Sequence, residues 1–215
     1  MSDGTVPRPA LALFDFDGTL TTSESFPAFL RMVVPKPRLR WGGLLVLPLV
    51  LGYRLRLLSG NTARAAILRI AARGLDAGLV AAAGAAYVRE VVPSTLRPDM
   101  LARLRWHRDR GDAVVVVSGT FDICIAAWCE AEGVALLASM LEQRDGRLTG
   151  RYAGAQCAGD EKVRRIRAAY DLSAFARIHA YGDTVEDLSM LALADEAVYR
   201  GRPLPQRSCV ASGNA

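Results

Sequence analysis

The stretch LALFDFDGTL, residues 11–20, decides how this chain folds. Its first four residues are an apolar run that predicts a buried strand, and the run ends in the two carboxylates Asp15 and Asp17. Side chains two positions apart on a strand point to the same face, so we expect both carboxylates to share a face at the strand's end. Two like charges held this close require a nearby cation or leave one group protonated as an acid. The alternative is a hairpin turn at Asp17-Gly18.

Length and charge limit the classes of protein to consider. The chain has 215 residues, which suits one domain or a core domain carrying a modest insertion, and 51% of the residues are apolar, enough for a sizeable core. The formal net charge is +5. Residues 25–75 contain no Asp or Glu, and this segment is expected to attract anionic partners. Its basic residues are Arg31, Lys36, Arg38, Arg40, Arg54, Arg56, Arg64, Arg69 and Arg73.

Cysteine spacing and the first residues bear on the compartment. The cysteines at positions 124, 129, 157 and 209 form no C-x-x-C pair and no metal-ligand spacing with a histidine, so we expect reduced thiols and a cytoplasmic protein. Residues 1–9 lack the apolar segment of a signal peptide.

The most hydrophobic segment covers residues 41–58, WGGLLVLPLVLGYRLRLL. Its uncharged part is shorter than the roughly 20 residues that a transmembrane helix needs, and Pro48 lies inside it. Arginines flank it on both sides, which suits a helix lying in the interface of an anionic membrane. The alternative is a helix buried against its neighbours.

Strands alternate with helices along the rest of the chain, which predicts a parallel sheet with helices on both faces. The run at 113–117 closes in Ser118-Gly119-Thr120, and the run at 176–181 closes in Gly182-Asp183-Thr184. Ligands of such folds bind at the carboxyl ends of the strands, so these two ends and the Asp15 end should converge on one site.

Three further elements are predicted from local patterns. A helix over 99–110 is expected to turn Met100, Leu101, Leu104 and Trp106 inward, and a helix after Thr120 to bury Cys124, Ala127, Trp128 and Ala131. Residues 134–153 predict two short strands joined by a hairpin turn at Arg144-Asp145-Gly146.

The polar strand ends predict phosphoryl chemistry. Carboxylates are hard oxygen ligands that favour Mg²⁺ over zinc; those available are Asp15, Asp17, Asp183 and Asp187. For the last two, helix capping is the alternative interpretation. With the metal bound, one aspartate can attack phosphorus and its neighbour can protonate the leaving oxygen. The Ser118 hydroxyl and the N–H groups of Gly119 and Thr120, expected at a helix N-terminus, suit the phosphoryl oxygens. Lys162, in the first turn of a predicted helix, is the candidate cation, or else an ordinary surface lysine.

Four ordered motifs, DFDGTLT, VVVVSGT, GDEKVRRI and YGDTVEDLSM, resemble those of the haloacid dehalogenase superfamily. The resemblance implies a three-layer α/β/α Rossmann-like core. It implies Asp15 as nucleophile and Asp17 as general acid and base. Mg²⁺ would be held by the Asp15 and Asp183 side chains and the Asp17 carbonyl, with Asp187 or its neighbour Glu186 in support. Ser118 and Lys162 would bind the phosphoryl group, and Gly18, Thr19, Gly119 and Thr120 would line its site.

The first two motifs are separated by residues 22–113, about 90 residues, and this spacing resembles subfamily IB with its helical C1-type cap. This implies a catalytic core at 1–20 and 94–205, a cap at 21–93 and a flexible tail at 206–215. Within that group, the apolar basic segment together with AQCAGDEKV is similar to the phosphatidylglycerophosphatase C group.

Two enzymatic alternatives remain. Glu24 occupies the place where phosphoserine phosphatases carry a substrate-contacting acid, which favours a small phosphorylated metabolite. The basic, apolar cap favours a lipid headgroup phosphate such as phosphatidylglycerophosphate, with peripheral contact at the inner face of the membrane. A non-enzymatic membrane-surface protein on the same scaffold is disfavoured because the motif residues are all present. A nucleic-acid partner is not expected, since no reading motif accompanies the basic residues.

Overall fold

The structure is a computed structural model that describes residues 8–55 and 57–205. Arg56 and the predicted tail at 206–215, which contains Cys209, lie outside the described residues.

A six-stranded sheet forms the centre of the core, in the order β3-β2-β1-β6-β7-β8. The first five of these strands run parallel, and β8 pairs antiparallel with β7. Strand β1 is therefore central, because it pairs with β2 on one side and β6 on the other. The alternative interpretation, a hairpin turn at Asp17-Gly18, is wrong. The strands of this sheet are β1 Leu11–Phe14, β2 Ala113–Phe121, β3 Ala135–Ser139, β6 Ile178–Gly182, β7 Glu196–Tyr199 and β8 Arg202–Pro203.

Helices cover both faces of the sheet. Those described are α1 Ser25–Val33, α2 Lys36–Arg54, α3 Gly60–Ala71, α4 Ala77–Glu90, α5 Val92–Thr95, α6 Pro98–Asp109, α7 Asp122–Glu132, α8 Asp160–Ala169 and α9 Leu188–Leu191.

Alternate residues of β1 belong to two different hydrophobic cores. Ala12 and Phe14 pack into the core on one face, and Leu11 and Leu13 pack into the core on the other. All four are fully buried. A strand covered on both faces must be apolar throughout, which is why the sequence shows no alternation here. The predicted three-layer α/β/α architecture is confirmed.

Helices α1–α4 follow β1 along the chain, in the segment where a helical cap is predicted. In the described part of the chain, no helix is both long and apolar enough to cross a membrane. The end of α2 and the loop after it carry apolar side chains that remain more than half exposed: Leu47, Leu51, Tyr53, Leu55 and Leu57. For these side chains, the expectation of burial against neighbours is wrong.

The predicted hairpin is present as β4 Leu141–Arg144 and β5 Arg147–Tyr152, with Asp145 and Gly146 in its turn. It forms a separate two-stranded sheet, and β5 packs against α3. Strand β3, just before the hairpin, belongs to the main sheet instead. The region predicted as one hairpin therefore supplies strands to both sheets.

Two predicted helix faces are partly wrong. Trp106 on α6 is 42% exposed, whereas Leu104 and His107 are buried. Residues 104 and 106 differ by about 200° around a helix, so both cannot face the core. The guanidinium groups of Arg103 and Arg110 cover the Trp106 ring, at 5.1 and 4.2 Å from its centroid.

On α7, the buried face consists of Cys124, Ile125, Trp128 and Cys129. The predicted Ala127 and Ala131 are exposed. The helix face is rotated toward the larger apolar side chains, whose burial stabilises the fold more than that of alanine.

Candidate active site

Asp15 and Asp17 line one pocket at the carboxyl end of β1, as the sequence predicts. The Asp15 N–H donates to the carbonyl of Tyr181 at 2.9 Å, which continues the pairing of β1 with β6. Asp15 is 6% exposed. Burial raises the pKa of the Asp15 carboxyl well above its usual value, although the nearby Lys162 ammonium opposes this.

Lys162 is a buried cation held between two carboxylates. Its Nζ donates to Asp15 Oδ1 and to Asp187 Oδ1, both at 2.6 Å. Burial lowers the pKa of Lys162, but the two carboxylates outweigh it and hold the pKa above its ordinary value. The alternative of a surface lysine is therefore wrong. A phosphoryl group bound here would compete with these carboxylates for the ammonium.

Asp187 organises the turn after β6. Its Oδ2 accepts hydrogen bonds from the Asp183 N–H at 3.1 Å, and from the N–H and Oγ1 of Thr184, both at 2.9 Å. Burial raises the pKa of Asp187, but Lys162 and these donors outweigh it, so the pKa lies below its usual value. The capping interpretation is confirmed for the Thr184–Asp187 pair, and Asp187 at the same time holds Lys162.

Gly18 allows Asp183 to approach the first strand end. The backbone of Gly18 has a φ of +81°, and a Cβ built there would lie 2.2 Å from Asp183 Oδ2. Thr19 Oγ1 donates to Asp183 Oδ1 at 3.0 Å. Burial raises the pKa of Asp183 above its ordinary value. In this structure the Gly18-Thr19 pair therefore positions the Asp183 carboxylate. Its role in lining the phosphate site stays a prediction.

The Asp17 carboxylate is held by two hydroxyl groups. Its Oδ2 accepts a hydrogen bond from Thr120 Oγ1 at 2.5 Å, and its Oδ1 accepts one from Ser25 Oγ. Burial raises the pKa of Asp17, and the hydrogen bonds from Ser25 and Thr120 only partly offset it. Among the described residues, the carboxylates that lie close enough to share an ion are those of Asp15, Asp183 and Asp187, and the Asp17 side chain is not one of them.

The Ser118-Gly119-Thr120 triplet lines the pocket, but it is not at a helix N-terminus as predicted. Strand β2 continues to Phe121, and α7 begins only at Asp122. The Thr120 N–H donates to Ser118 Oγ at 3.1 Å, so it is already engaged. The strand is longer than expected because its pairing with β3 shifts register between Ser118 and Phe121 and then resumes.

Glu24 lies at the mouth of the pocket together with Arg64, a residue of α3 that the sequence indicated only as one of many basic residues. Arg64 Nη2 donates to Glu24 Oε2 at 2.9 Å, and Nη1 lies 3.6 Å from Glu186 Oε2. Burial lowers the pKa of Arg64, but Glu24 and Glu186 outweigh it and raise the pKa. Only its place in an acid-free segment distinguished Arg64 in the sequence, because its partners lie far away along the chain.

Within the described residues, Asp15, Asp183 and Asp187 form a group whose carboxylate oxygens lie within 4.8 Å of one another. All are hard oxygen donors, so the set fits Mg²⁺. When all three carboxylates are ionised, the single ammonium of Lys162 does not balance their charge. A divalent cation would supply the two positive charges that are still needed. Asp187 already accepts hydrogen bonds on both oxygens, which leaves Asp15 and Asp183 as the freer ligands.

Several known proteins are similar to this chain in sequence or in fold. The sequence profile of the haloacid dehalogenase-like hydrolases matches residues 12–192. Protein CicA of Caulobacter vibrioides is 36% identical over 203 residues, which cover 91% of this chain and 89% of CicA. A phosphoserine phosphatase of Halobacterium salinarum is 34% identical over 193 residues, covering 87% of this chain and 84% of that protein. A solved protein of unknown function from Bordetella pertussis Tohama I has a TM-score of 0.72 at 25% identity and covers 89% of both chains.

The chain therefore belongs to the haloacid dehalogenase-like hydrolase family. The predicted family and the predicted enzyme class, a phosphatase of this family, are confirmed.

Proposed function

We propose that this protein is a Mg²⁺-dependent phosphomonoesterase that works through an aspartyl phosphate on Asp15 and acts on the phosphate of a lipid headgroup. The observation that carries the proposal is the contact of Lys162 with Asp15, 2.6 Å from Nζ to Oδ1, beside two further aspartates, Asp183 and Asp187. Such a site combines a nucleophile, a fixed cation and a place for a divalent ion.

The reaction proceeds in two steps. An Asp15 carboxylate oxygen attacks phosphorus, the bond between phosphorus and the ester oxygen breaks, and Asp17 gives its proton to the departing alcohol. A water molecule then attacks phosphorus, Asp17 takes its proton, and the bond between phosphorus and Asp15 breaks. Phosphate is released and both aspartates return to their starting states. The hydrogen bonds from Ser25 and Thr120 keep the Asp17 carboxylate oriented during both transfers.

Residues at the other strand ends support this chemistry. When bound by Asp15 and Asp183, Mg²⁺ supplies positive charge that lets an anionic phosphate approach an anionic carboxylate. Ser118 Oγ and the Gly119 N–H lie at the pocket to donate to phosphoryl oxygens. Asp187 holds both Lys162 and the turn that carries Asp183.

The surface beside the pocket supports a lipid substrate. A Cβ built at Gly60 would lie 3.5 Å from both the Tyr53 ring and Glu186 Oε1, and Glu186 lines the pocket. The exposed apolar end of α2 is therefore next to the pocket mouth. Leu47, Leu51 and Leu55 recur every four residues, and the exposed Arg40 and Arg54 accompany them. Apolar side chains with adjacent arginines suit the surface of an anionic membrane. We expect the protein to act at the cytoplasmic face as a peripheral protein, in the manner of the phosphatidylglycerophosphatase C group of subfamily IB.

The test is phosphate release from a panel of phosphomonoesters, with Mg²⁺ and with the metal removed by chelation. The panel contains phosphatidylglycerophosphate in vesicles, phosphoserine and sugar phosphates. We expect turnover that depends on Mg²⁺ and is fastest on the lipid, and that is abolished in Asp15→Asn. Asp109→Asn, at an exposed carboxylate far from the pocket, is the matched control. Turnover by Asp15→Asn equal to that of this control would exclude the proposal.

A small zwitterionic metabolite is the second candidate, and the Glu24–Arg64 pair favours it. An acid and a base side by side at the mouth match the amine and carboxylate of a phosphorylated amino acid. On this alternative, phosphoserine is the fastest substrate of the panel, and Arg64→Gln raises its KM. On the lipid proposal, Arg64→Gln changes KM for phosphoserine and for the sugar phosphates to the same extent.

A further inference from the structure

A second cavity, of about 360 Å³, lies between α3 and the β4–β5 hairpin. This volume falls within the roughly 300–1,000 Å³ of small-molecule sites. Of the eight residues that line it, half are arginines: Arg69, Arg73, Arg144 and Arg151. It shares no lining residue with the pocket that holds Asp15.

Charge around the cavity is not balanced by ion pairs among the described residues. Across residues 8–55 and 57–205, none of the four arginines forms an ion pair with a carboxylate, whereas other surface arginines such as Arg105 and Arg177 do. Among the described residues that line the cavity, Glu142 is the one acid, and its Oε2 accepts a hydrogen bond from Thr149 Oγ1 at 2.5 Å. The cavity therefore carries a strong excess of positive charge.

The walls of the cavity are held together by the backbone. The Gly74 N–H donates to the Leu148 carbonyl at 2.7 Å, and the Ala77 N–H donates to the Gly146 carbonyl at 2.8 Å. Gly150, with a φ of +78°, lets the hairpin come so near that a Cβ there would be 3.0 Å from the Arg69 Cα. These contacts fix the backbone of both walls, from which the four exposed arginine side chains extend toward one cavity.

We propose that this cavity is a binding site for a phosphate-bearing anion, separate from the catalytic pocket. A guanidinium group presents paired N–H donors that match two phosphate oxygens. Several arginines around one cavity therefore suit a phosphate group as the ligand. The phosphate is provided either by a soluble di- or polyphosphate or by a lipid headgroup. The site is independent of the reaction proposed for Asp15.

The test compares three proteins: the unmodified full chain, the double variant Arg69→Gln/Arg144→Gln, and the control double variant Arg89→Gln/Arg167→Gln. The control removes the same charge from exposed positions on α4 and α8. Each protein is freed of metal by chelation and titrated calorimetrically with inorganic pyrophosphate. The unmodified chain and the control should bind one pyrophosphate with equal affinity. The cavity variant should bind at least about tenfold more weakly, because charge-assisted hydrogen bonds are lost.

A second arm measures binding of the same proteins to vesicles that contain phosphatidylglycerol. Weaker binding of pyrophosphate alone in the cavity variant assigns the site to a soluble anion, and weaker vesicle binding alone assigns it to a lipid headgroup. The proposal is overturned when the cavity variant and the control bind both probes equally, or when the unmodified chain binds neither. Circular dichroism verifies folding, and Arg151→Gln replaces the double variant, with the same expected direction, if the latter is unfolded.

Discussion

The ammonium of Lys162 lies 2.6 Å from the Asp15 carboxylate, in a place where both side chains are almost completely buried. The same ammonium bridges to Asp187 at an equal distance. Through Lys162 of α8, this bridge joins the end of β1 to the turn after β6. It makes Lys162 a structural element of the site before any substrate arrives.

Replacing Lys162 should therefore affect stability as well as activity. Lys162→Met removes the cation and leaves two buried carboxylates next to each other, which should lower the free energy of unfolding by about 3–5 kcal/mol. Urea denaturation of the metal-free protein measures this. Lys36→Met, at an exposed lysine at the start of α2, is the control and should change stability little. A loss equal to that of the control would show that the bridge does not stabilise the fold.

Gly18→Ala should disrupt the contact between the first strand end and Asp183. The positive φ costs about 1–2 kcal/mol for alanine, and the added Cβ collides with the Asp183 carboxylate. Because a shift of about 1 Å at a reacting group costs roughly 10²-fold, we expect a loss of that order in kcat/KM. Gly43→Ala is the control, since a Cβ there meets nothing within 4 Å. It should leave kcat/KM unchanged and raise stability by about 0.5–1 kcal/mol. Full activity in Gly18→Ala would contradict this role.

Asp187 and Glu186 are neighbours with different expected roles. Asp187→Asn should weaken Mg²⁺ affinity by about 10–100-fold, because Asp187 orients the turn that carries Asp183. Glu186→Gln should leave Mg²⁺ affinity nearly unchanged, since Glu186 faces Arg64 at the pocket mouth. The measurement is phosphate release as a function of Mg²⁺ concentration. A larger effect of the Glu186 substitution would reverse the assignment of these two acids.

Binding to anionic vesicles should depend on the exposed leucines of α2. Leu51→Gln should weaken recovery in a flotation assay by about tenfold, as expected for one apolar side chain of roughly 1.5 kcal/mol. Leu79→Gln, at an equally apolar and 73% exposed position on α4, is the control and should not change recovery. Binding should also decrease as salt increases, because part of it is electrostatic. Equal recovery of both variants would exclude α2 as the contact surface.

The sequence predicts the strand ends well because the signals there are local. An apolar run followed by an acid identifies Asp15 and Asp183 without knowledge of the fold. The sequence indicates Lys162 as the candidate cation, but its position between two carboxylates depends on contacts with residues 147 and 25 positions away along the chain. For the same reason the sequence does not indicate Arg64 as a site residue, since its partner Glu24 lies 40 residues away. The prediction for Trp106 is wrong because its hydrophobicity favours burial, whereas the geometry of the helix turns His107 inward instead.

The chemistry proposed for Asp15 is tested most directly by trapping the phosphorylated enzyme. The protein is mixed with a phosphomonoester substrate and Mg²⁺, quenched in acid and reduced with borohydride, which converts an aspartyl phosphate into homoserine. Peptide mass spectrometry then reads the residue at each aspartate. We predict homoserine at position 15, dependent on substrate, and unmodified aspartate at positions 17, 183 and 187. Rapid turnover with unmodified aspartate at position 15, or homoserine at one of the other positions, would contradict the account.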